Sequence, residues 1–325
     1  MKNRALGADL IRLDRELSLA LRPPHSFLGR ISRQALKNGG KKRRGRLIVI
    51  LGRLFGVPRG SVIGTAVAVE IVHLATLIHD DVIDGARRRR SRPALQHVQG
   101  VAPALLYGDL LFSRGVSFVN RLGNRDLTDL LLETVHSLCS GEILENRLSR
   151  KFPWTERDYL QVASLKTASL FRYCCQAPGI LAGLPQRRRR ILERFGGRLG
   201  ISCQIADDCL DFAPPREGAE KDRLADLKNG VPSLPLVLAG KNPALRKELR
   251  AAVGKGAGTL RLKRLAAMIR RGGFVGQALS RAREYLESTR EDVAAIETWG
   301  DEGRARLLRG YLDAQSAFLD GLEGI

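Results

Sequence analysis

Two clusters of aspartates are the residues of this sequence whose types and spacing could do chemistry. Each contains the pattern DDxxD, as HDDVID over residues 79–84 and as DDCLD over residues 207–211. Aspartate occupies about one position in twenty, so two copies arise by chance in about one chain in a thousand of this length. Each copy also ends an apolar helical pattern. The pair therefore indicates a shared function.

The spacing within each cluster predicts a metal site. Residues four apart share a helix face, so Asp80 and Asp84 point the same way, as do Asp207 and Asp211. Carboxylates this close repel one another and resist ionising together, and a hard cation removes that conflict. Magnesium typically binds one or two carboxylates together with substrate phosphates. Because Lys and Arg number 55 against 34 Asp and Glu, a net charge of +21, we expect a magnesium-bridged diphosphate.

The alternative is that these aspartates are simply exposed helix ends. An acidic residue stabilises the first turn of a helix, but these aspartates follow the apolar stripe and meet the negative end of the helix dipole. This placement is locally unfavourable, which favours a functional interpretation. The DxDxDG spacing of a calcium-binding EF-hand loop is absent.

The elements that must carry these clusters are predicted to be helices. Apolar residues recur at three- and four-residue spacing over residues 63–77, 127–144, 191–210 and 278–295. Alternating strand patterns are scarce, and Gly and Pro mark short loops throughout the chain rather than one linker. The sequence therefore predicts an all-α fold, a single-domain helical bundle over residues 1–325.

The composition of the chain indicates its cellular location and the kinds of partner that it could bind. The five cysteines are odd in number and form no CxxC pair, which favours reduced buried thiols. Early charges such as Lys2 and Arg4 interrupt any signal-peptide stretch, so we expect a cytoplasmic protein. The basic excess would suit any polyanion, but nucleic-acid binding predicts aromatic residues interleaved with Lys and Arg, and the sequence lacks that pattern.

Further motifs surround the two clusters in order and resemble the trans-isoprenyl diphosphate synthase family, also called polyprenyl synthetases. The resemblance is strongest over residues 39–235, with 236–325 as C-terminal helices, and is closest to octaprenyl- and heptaprenyl-type enzymes. The matching segments besides the aspartate motifs are Gly39-Gly40-Lys41-Lys42-Arg43-Arg44, Glu70-Ile71-Val72-His73, Arg89-Arg90, Gly108-Asp109-Leu110-Leu111-Phe112, Gly141-Glu142, Lys166-Thr167-Ala168, Gln204-Ile205, Asp226-Leu227 and Leu234-Pro235.

The resemblance implies a helical bundle whose aspartate motifs face each other across a central cavity, and a homodimer. The implied reaction is head-to-tail condensation of isopentenyl diphosphate with an allylic diphosphate, assisted by three magnesium ions. The implied metal residues are Asp80 and Asp84 for two ions, Asp207 for the third, and Asp81, Asp208 and Asp211 to orient ligands or waters. Isopentenyl diphosphate would bind Lys41, Arg44, His73 and Arg90. The allylic diphosphate would bind Arg89, Lys166 and Lys221. The catalytic residues would be Lys166, Thr167 and Gln204.

Product length is predicted from the helix before the first motif. Ala75 and Thr76 precede Asp80 by just over one turn, about 7 Å along the axis. A growing apolar tail anchored at the metal site would pass them, and an aromatic residue there would close the pocket. Because Ala75 is small, we expect a product longer than geranylgeranyl diphosphate. Plain helix packing is the alternative for Ala75.

Four residues depart from the family pattern. Gly45 replaces a proline, which predicts a looser helix start, and Cys203 replaces a phenylalanine before Gln204. Leu224 replaces a loop glycine, and Val231 stands where a lysine usually contacts the allylic diphosphate.

Two other functions share parts of this pattern. A class I terpene cyclase has the first aspartate motif, but its second metal motif mixes Asn, Ser or Thr with Glu. A partner subunit of a heteromeric synthase tends to lose an aspartate motif, whereas this chain keeps both. Transient membrane contact for product release is a further expectation.

Overall fold

The computed structural model describes residues 2–22, 28–38, 42–89, 92–213, 224–255 and 258–323. In the first part of the chain, the described residues form seven helices and a two-stranded antiparallel ribbon, β1 (Arg88–Arg89) with β2 (Arg92–Pro93). The helices are α1 (Lys2–Ala20), α2 (Gly29–Asn38), α3 (Arg43–Leu54), α4 (Arg59–Ile83), α5 (Leu95–Gln99), α6 (Val101–Asn120) and α7 (Arg125–Leu148).

The second part is also helical in the residues that are described, with one π-helical turn at Ser164–Ala168. The predicted all-α class is therefore confirmed, whereas a single domain stays a prediction. The helices are α8 (Glu156–Ala163), α9 (Ser169–Leu181), α10 (Gln186–Leu210), α11 (Ala225–Asn229), α12 (Leu234–Ala239), α13 (Pro243–Lys255), α14 (Thr259–Arg271), α15 (Phe274–Glu287), α16 (Arg290–Glu297) and α17 (Glu302–Asp320).

Helix α4 is the central helix of the bundle and carries the first aspartate motif at its C-terminal end. It packs against α1, α3, α6 and α9. Its length and composition would allow it to cross a bilayer, but 72% of its most apolar stretch is buried inside the protein. Such burial is what a core helix shows, since it is apolar on all sides. The apolar pattern therefore places Asp80 at the end of a largely buried core helix.

Helix α10 carries the second motif and lies close against the π-helical turn and α9 because glycines face them. A Cβ atom at Gly200 would lie 2.6 Å from the Cα of Ala168, and one at Gly196 would lie 2.6 Å from the carbonyl oxygen of Phe171. Only glycine permits backbones to approach this closely. These contacts fix the second motif relative to Lys166 and Thr167.

Leu224 precedes α11 with a φ of 59°, in the left-handed region that glycine favours. A residue with a Cβ atom is strained there by about 1 kcal/mol. We therefore predict that Leu224→Gly has a higher free energy of unfolding than Leu224→Ala by about 1 kcal/mol. The alanine variant is the matched control, because both variants lose the leucine packing and only alanine keeps the Cβ atom. Chemical denaturation measures the difference, and an alanine variant as stable as the glycine variant would contradict it.

Candidate active site

The first aspartate motif ends α4 and is tied to the strand that follows it. Asp81 is buried and accepts two hydrogen bonds from Arg89 Nε, at 2.9 and 2.7 Å. Gln96 Nε2 donates to the carbonyl oxygens of Asp81 and Ala86, both at 2.7 Å. Asp81 therefore holds a guanidinium beside Asp80 and Asp84, where the sequence predicts a diphosphate clamp.

Both aspartate motifs contribute to one cavity of about 130 Å³. Asp84 comes from the first motif and Asp208 from the second, so the predicted approach of the two motifs is seen directly. Asp207 is exposed on α10 and lies outside this lining. The lining residues are Asp84, Glu145, Tyr159, Val162, Ala163, Lys166, Gln204, Asp208, Ala225, Asp226, Asn229, Val231, Pro232 and Ser233.

Lys166 lies on the cavity wall between two carboxylates of α7. Its Nζ is 2.6 Å from Glu142 Oε2 and also pairs with Glu145. The π-helical turn that presents Lys166 is a feature that often occurs at functional sites. It lies against Gly141, where a Cβ atom would be 2.6 Å from the Lys166 backbone nitrogen. Gly141 therefore sets the distance between the lysine and its two carboxylate partners.

A hydrogen-bonded chain fixes the side chains of the second motif. The Thr167 hydroxyl donates to Gln204 Oε1, and Gln204 Nε2 donates to Asp208 Oδ1 at 2.7 Å. The other oxygen of Asp208 accepts from the Leu234 N–H at 3.3 Å. Thr167 therefore orients Gln204, and Gln204 in turn orients Asp208; the latter two residues line the cavity.

Asp211 holds the start of α11, which contributes residues to the cavity lining. Its two carboxylate oxygens accept from the N–H groups of Ala225 and Asp226, each at 3.2 Å. These N–H groups begin α11, where the backbone donors of a helix lack internal partners. Asp211 thereby helps to place Asp226, which lines the same cavity as Asp84.

The carboxylates of this site are buried and close to one another, and both conditions raise their pKa values. Burial raises the pKa of Asp80 to about 8, with Glu142 and Glu145 adding to the rise and Lys166 opposing it. Burial raises the pKa of Asp208 to about 7, although Gln204 donates a hydrogen bond to it. Burial and the neighbouring Asp211 raise the pKa of Asp226 well above its usual range. A divalent cation would relieve this repulsion.

These donors fit a metal ion that is shared with a ligand. The cavity offers hard oxygen donors, the type that magnesium and calcium prefer. Across the residues that the structure describes, no three His, Cys, Asp or Glu side chains converge as a complete ion site. Such an incomplete set suits an ion that takes its remaining ligands from diphosphate and water.

The raised carboxyl pKa values predict how stability changes with pH. An aspartyl group titrates at about 4 in an unfolded chain, so between pH 4 and 8 the folded metal-free protein binds more protons than the unfolded one. Its free energy of unfolding therefore falls as pH rises through that window. We expect the metal-free Tm to fall between pH 5 and 8.5, and to fall less in Asp80→Asn. The control is Asp313→Asn, which changes an exposed residue of α17. If Tm falls equally steeply with pH in Asp80→Asn and Asp313→Asn, the prediction is contradicted.

Arg44 and His73 of the predicted isopentenyl diphosphate site contact each other. Arg44 Nη1 is 2.8 Å from His73 Nε2, and the Arg44 guanidinium lies 4.8 Å from the centre of the Phe171 ring. Beside them, the N–H of Gly45 donates to buried Glu70 at 2.8 Å. The expectation that Gly45 loosens the start of α3 is therefore corrected: a proline there would have no N–H to bind Glu70.

The remaining predicted residues are placed as follows. Lys41, Arg90 and Lys221 lie outside the described residues. Ala75 is fully buried, the Thr76 hydroxyl donates to the His73 carbonyl oxygen at 2.8 Å, and neither residue lines the cavity. Their role in chain length stays a prediction, and so do the binding and catalytic roles of the other residues.

Two of the departures from the family pattern are also placed. Val231 lines the cavity near Lys166, so an apolar side chain occupies that part of the wall. Cys203 is buried and lies outside the cavity lining, close enough to Arg43 and Arg44 for their charges to act on its thiol.

Sequence reasoning missed three carboxylates of this site. Glu142 and Glu145 bind Lys166, and Asp226 lines the cavity. The spacing of Glu142 and Glu145 puts them on one face of α7, which was a usable signal. Asp226 stands in a segment that matches the family, but its place in the cavity lining was not predicted, because that place depends on the cap that Asp211 provides.

Comparisons with known proteins show the family of this chain. The sequence profile of the family described as polyprenyl synthetase matches residues 25–269. The chain is 31% identical over 282 residues to component 2 of heptaprenyl diphosphate synthase from Geobacillus stearothermophilus, covering 87% of this chain and 88% of that protein. It is 28% identical to octaprenyl diphosphate synthase of Escherichia coli strain K12, covering 92% of each chain.

Solved structures show the same architecture. A polyprenyl synthase from Caulobacter crescentus CB15, complexed with calcium and isoprenyl diphosphate, matches with a TM-score of 0.89 and 26% identity, over 97% of this chain and 95% of that one. The chain belongs to the polyprenyl synthetase family. It is a prenyltransferase, which confirms the resemblance read from its motifs.

Proposed function

We propose that this chain condenses isopentenyl diphosphate head-to-tail with an allylic diphosphate, with magnesium as its metal, and makes a trans-polyprenyl diphosphate longer than geranylgeranyl. The observation that carries the proposal is the shared cavity, whose lining includes Asp84 of one motif, Asp208 of the other and Lys166. Hard oxygen donors beside a lysine suit a metal-bound diphosphate.

The residues of the two motifs would hold the metal ions, three by family resemblance, with Asp80, Asp84 and Asp207 as direct ligands. When bound, the metal neutralises diphosphate charge and makes it a better leaving group. Lys166 and Arg89 would bind the allylic diphosphate, one as a point charge and the other as a planar fork. Arg44 and His73, already in contact, would bind isopentenyl diphosphate.

The reaction forms a carbon–carbon bond as the allylic carbon–oxygen bond breaks. The isopentenyl double bond supplies the electron pair for the new bond, diphosphate leaves the allylic carbon with the electrons of the carbon–oxygen bond, and a proton is lost as the new double bond forms. Thr167 and Gln204 would line the reacting carbons in the orientation that their hydrogen bonds fix. Diphosphate is the proposed acceptor of the proton, by family resemblance.

The proposed product length follows from small Ala75 before the first motif. Relatives named octaprenyl and heptaprenyl diphosphate synthases agree with a long product, but a geranylgeranyl diphosphate synthase from Methanosarcina mazei is 32% identical. Identity alone therefore leaves the length open, and Ala75 carries this part of the proposal. A cytoplasmic location is proposed from the composition.

A homodimer is proposed because α6 and α7 expose several large apolar side chains. Leu106 is 68% exposed and Ile143 is 69% exposed, and Leu105 and Leu132 are also exposed on these helices. Large apolar side chains exposed on two helices that pack together are usual at an interface between proteins. Sedimentation of the purified chain at micromolar concentration tests the proposal, and a monomer would contradict it.

The enzymatic test uses the purified chain with labelled isopentenyl diphosphate and farnesyl or geranylgeranyl diphosphate. We expect magnesium-dependent label in products longer than geranylgeranyl, and no label when the metal is chelated. A product no longer than geranylgeranyl would contradict the proposed length and leave the reaction class intact.

The second candidate is a subunit that requires a partner. It is favoured by the relative named component 2 of heptaprenyl diphosphate synthase, which implies another component in that enzyme. Under this alternative the chain alone elongates no primer. A cyclic hydrocarbon as product would instead indicate a terpene cyclase.

A further inference from the structure

One helical pair outside the active site is strongly basic and carries almost no acidic residues. Between residues 241 and 271 there are ten Lys or Arg residues and one acidic residue, Glu248. This stretch contains α13 and α14, which pack against each other and are joined by the exposed ion pair of Arg261 with Glu248 at 3.1 Å. The active site uses none of these charges.

Helix α14 has a buried face and an opposite face that combines basic and apolar side chains. Its buried residues are Leu262, Leu265, Ala266 and Ile269. Leu260 is 84% exposed, and residues four and eight positions further on, Arg264 and Met268, share its face. An exposed leucine surrounded by Lys and Arg is typical of helices that lie in the interface of an anionic bilayer.

Helix α13, which packs against α14, carries further exposed basic side chains. Lys247 and Arg250 are exposed on the face opposite its buried Leu245 and Leu249. Basic side chains near an anionic lipid surface each contribute attraction, and the contributions add. We use the name basic face for Arg246, Lys247, Arg250, Leu260, Lys263, Arg264, Met268 and Arg271.

We propose that the basic face of α13 and α14 docks this enzyme on an anionic lipid bilayer. The charge is complementary to the lipid head groups, and Leu260 and Met268 supply apolar contacts that a nucleic-acid phosphate backbone would not use. The proposal deepens the proposed function, because a long polyprenyl diphosphate is itself a lipid with an anionic head.

The docked helices are connected to the catalytic cavity. Arg270 of α14 donates to the Phe212 carbonyl oxygen at 3.0 Å, directly after Asp211 of the second motif. Helix α13 packs against α11, which places Ala225, Asp226 and Asn229 in the cavity lining. Docking therefore brings lipid close to the elements that form one wall of the active site.

The test is co-sedimentation of the substrate-free protein with vesicles, which requires no turnover. Vesicles of phosphatidylcholine alone are compared with vesicles that also contain phosphatidylglycerol. We expect binding only to the anionic vesicles, weakened by salt. Lys263→Glu with Arg264→Glu should reduce the binding at least about tenfold. Leu260→Ser should reduce it about tenfold, because the leucine no longer enters the lipid interface.

Matched controls separate this face from overall charge. Arg187→Glu with Arg190→Glu makes the same change in net charge on exposed residues of α10 and should bind vesicles as the wild type does. Ile11→Ser removes an apolar side chain that is 72% exposed on α1 and should also bind normally. All variants should keep their helical circular dichroism and their turnover of a short soluble primer.

Three results would overturn the proposal. One is absence of wild-type binding to anionic vesicles. Another is a loss of vesicle binding in the α10 control, Arg187→Glu with Arg190→Glu, as large as the loss in Lys263→Glu with Arg264→Glu. The third is tighter binding to a DNA duplex than to vesicles, if the Lys263→Glu, Arg264→Glu variant loses that binding and Leu260→Ser keeps it. This pattern would identify the basic face as a nucleic-acid surface. Because vesicle binding is measured without substrate, failure here leaves the proposed reaction untouched.

Discussion

Replacing Asp80 with alanine is expected to lower kcat by about a thousandfold or more while the helical bundle stays folded. Asp80 ends the central helix, and Glu142, Glu145 and Lys166 are close enough to shift its pKa. Removing its carboxylate takes away the proposed ligand of the ion that neutralises the leaving diphosphate. The measurement is steady-state turnover at saturating magnesium, with circular dichroism to verify folding.

The control for Asp80 is an aspartate of the same type far from the cavity. Asp313 is exposed on α17, and Asp313→Ala should turn over as the wild type does. Asp80→Asn tests the charge separately, because it keeps the shape and loses the negative oxygen. Turnover within threefold of the wild type in Asp80→Ala would show that the first motif does not carry the reaction.

Lys166→Met is expected to lower kcat/KM for the allylic diphosphate by about a hundredfold to a thousandfold. The change removes the positive charge from the cavity wall and leaves Glu142 and Glu145 without the ammonium that they bind. Those two carboxylates would then repel an incoming diphosphate. Competition by inorganic diphosphate should weaken in parallel, which separates lost binding from a general loss of activity.

Two further variants sharpen the interpretation of Lys166. Lys166→Arg keeps the charge and should retain most of the affinity. Combining Lys166→Met with Glu145→Gln removes part of the repulsion and should recover part of the affinity that Lys166→Met loses. A double variant no better than Lys166→Met would show that the lysine acts only through its own contact with the substrate.

The class of fold and the two motifs were predictable because both depend on local patterns. Apolar spacing along α4 and α10 determines which faces are buried, and the aspartates follow those faces at the helix ends. The glycines Gly141 and Gly200 were harder to interpret, because their purpose is a close approach to the distant π-helical turn at Ser164–Ala168. Contacts between elements far apart in sequence have no local signature.

The departures from the family pattern show the same limit. Leu224 in place of glycine was visible in the sequence, and its left-handed backbone confirms that the position favours glycine. Gly45 in place of proline was interpreted wrongly, because the partner of its N–H, Glu70, lies 25 residues away on another helix. A backbone angle is a local property, whereas a hydrogen bond across helices is decided by the tertiary packing.

Ala75 illustrates a prediction that depends on more than its own helix. It is fully buried on α4, and the cavity between the motifs does not reach it. Whether a product tail passes Ala75 depends on how far the neighbouring helices can move apart. The spacing of residues along α4 does not determine this. Product analysis of the purified enzyme decides the matter directly.

The central claim is that both aspartate motifs hold one metal–diphosphate assembly in one cavity. The most direct measurement is anomalous diffraction from crystals grown with Mn²⁺, an oxygen-binding substitute for magnesium, and an allylic thiolodiphosphate that reacts slowly. The account predicts manganese peaks bridged by diphosphate, with Asp80 and Asp84 on one side and Asp207 on the other. Manganese and diphosphate bound elsewhere, with no ion between the two motifs, would contradict it.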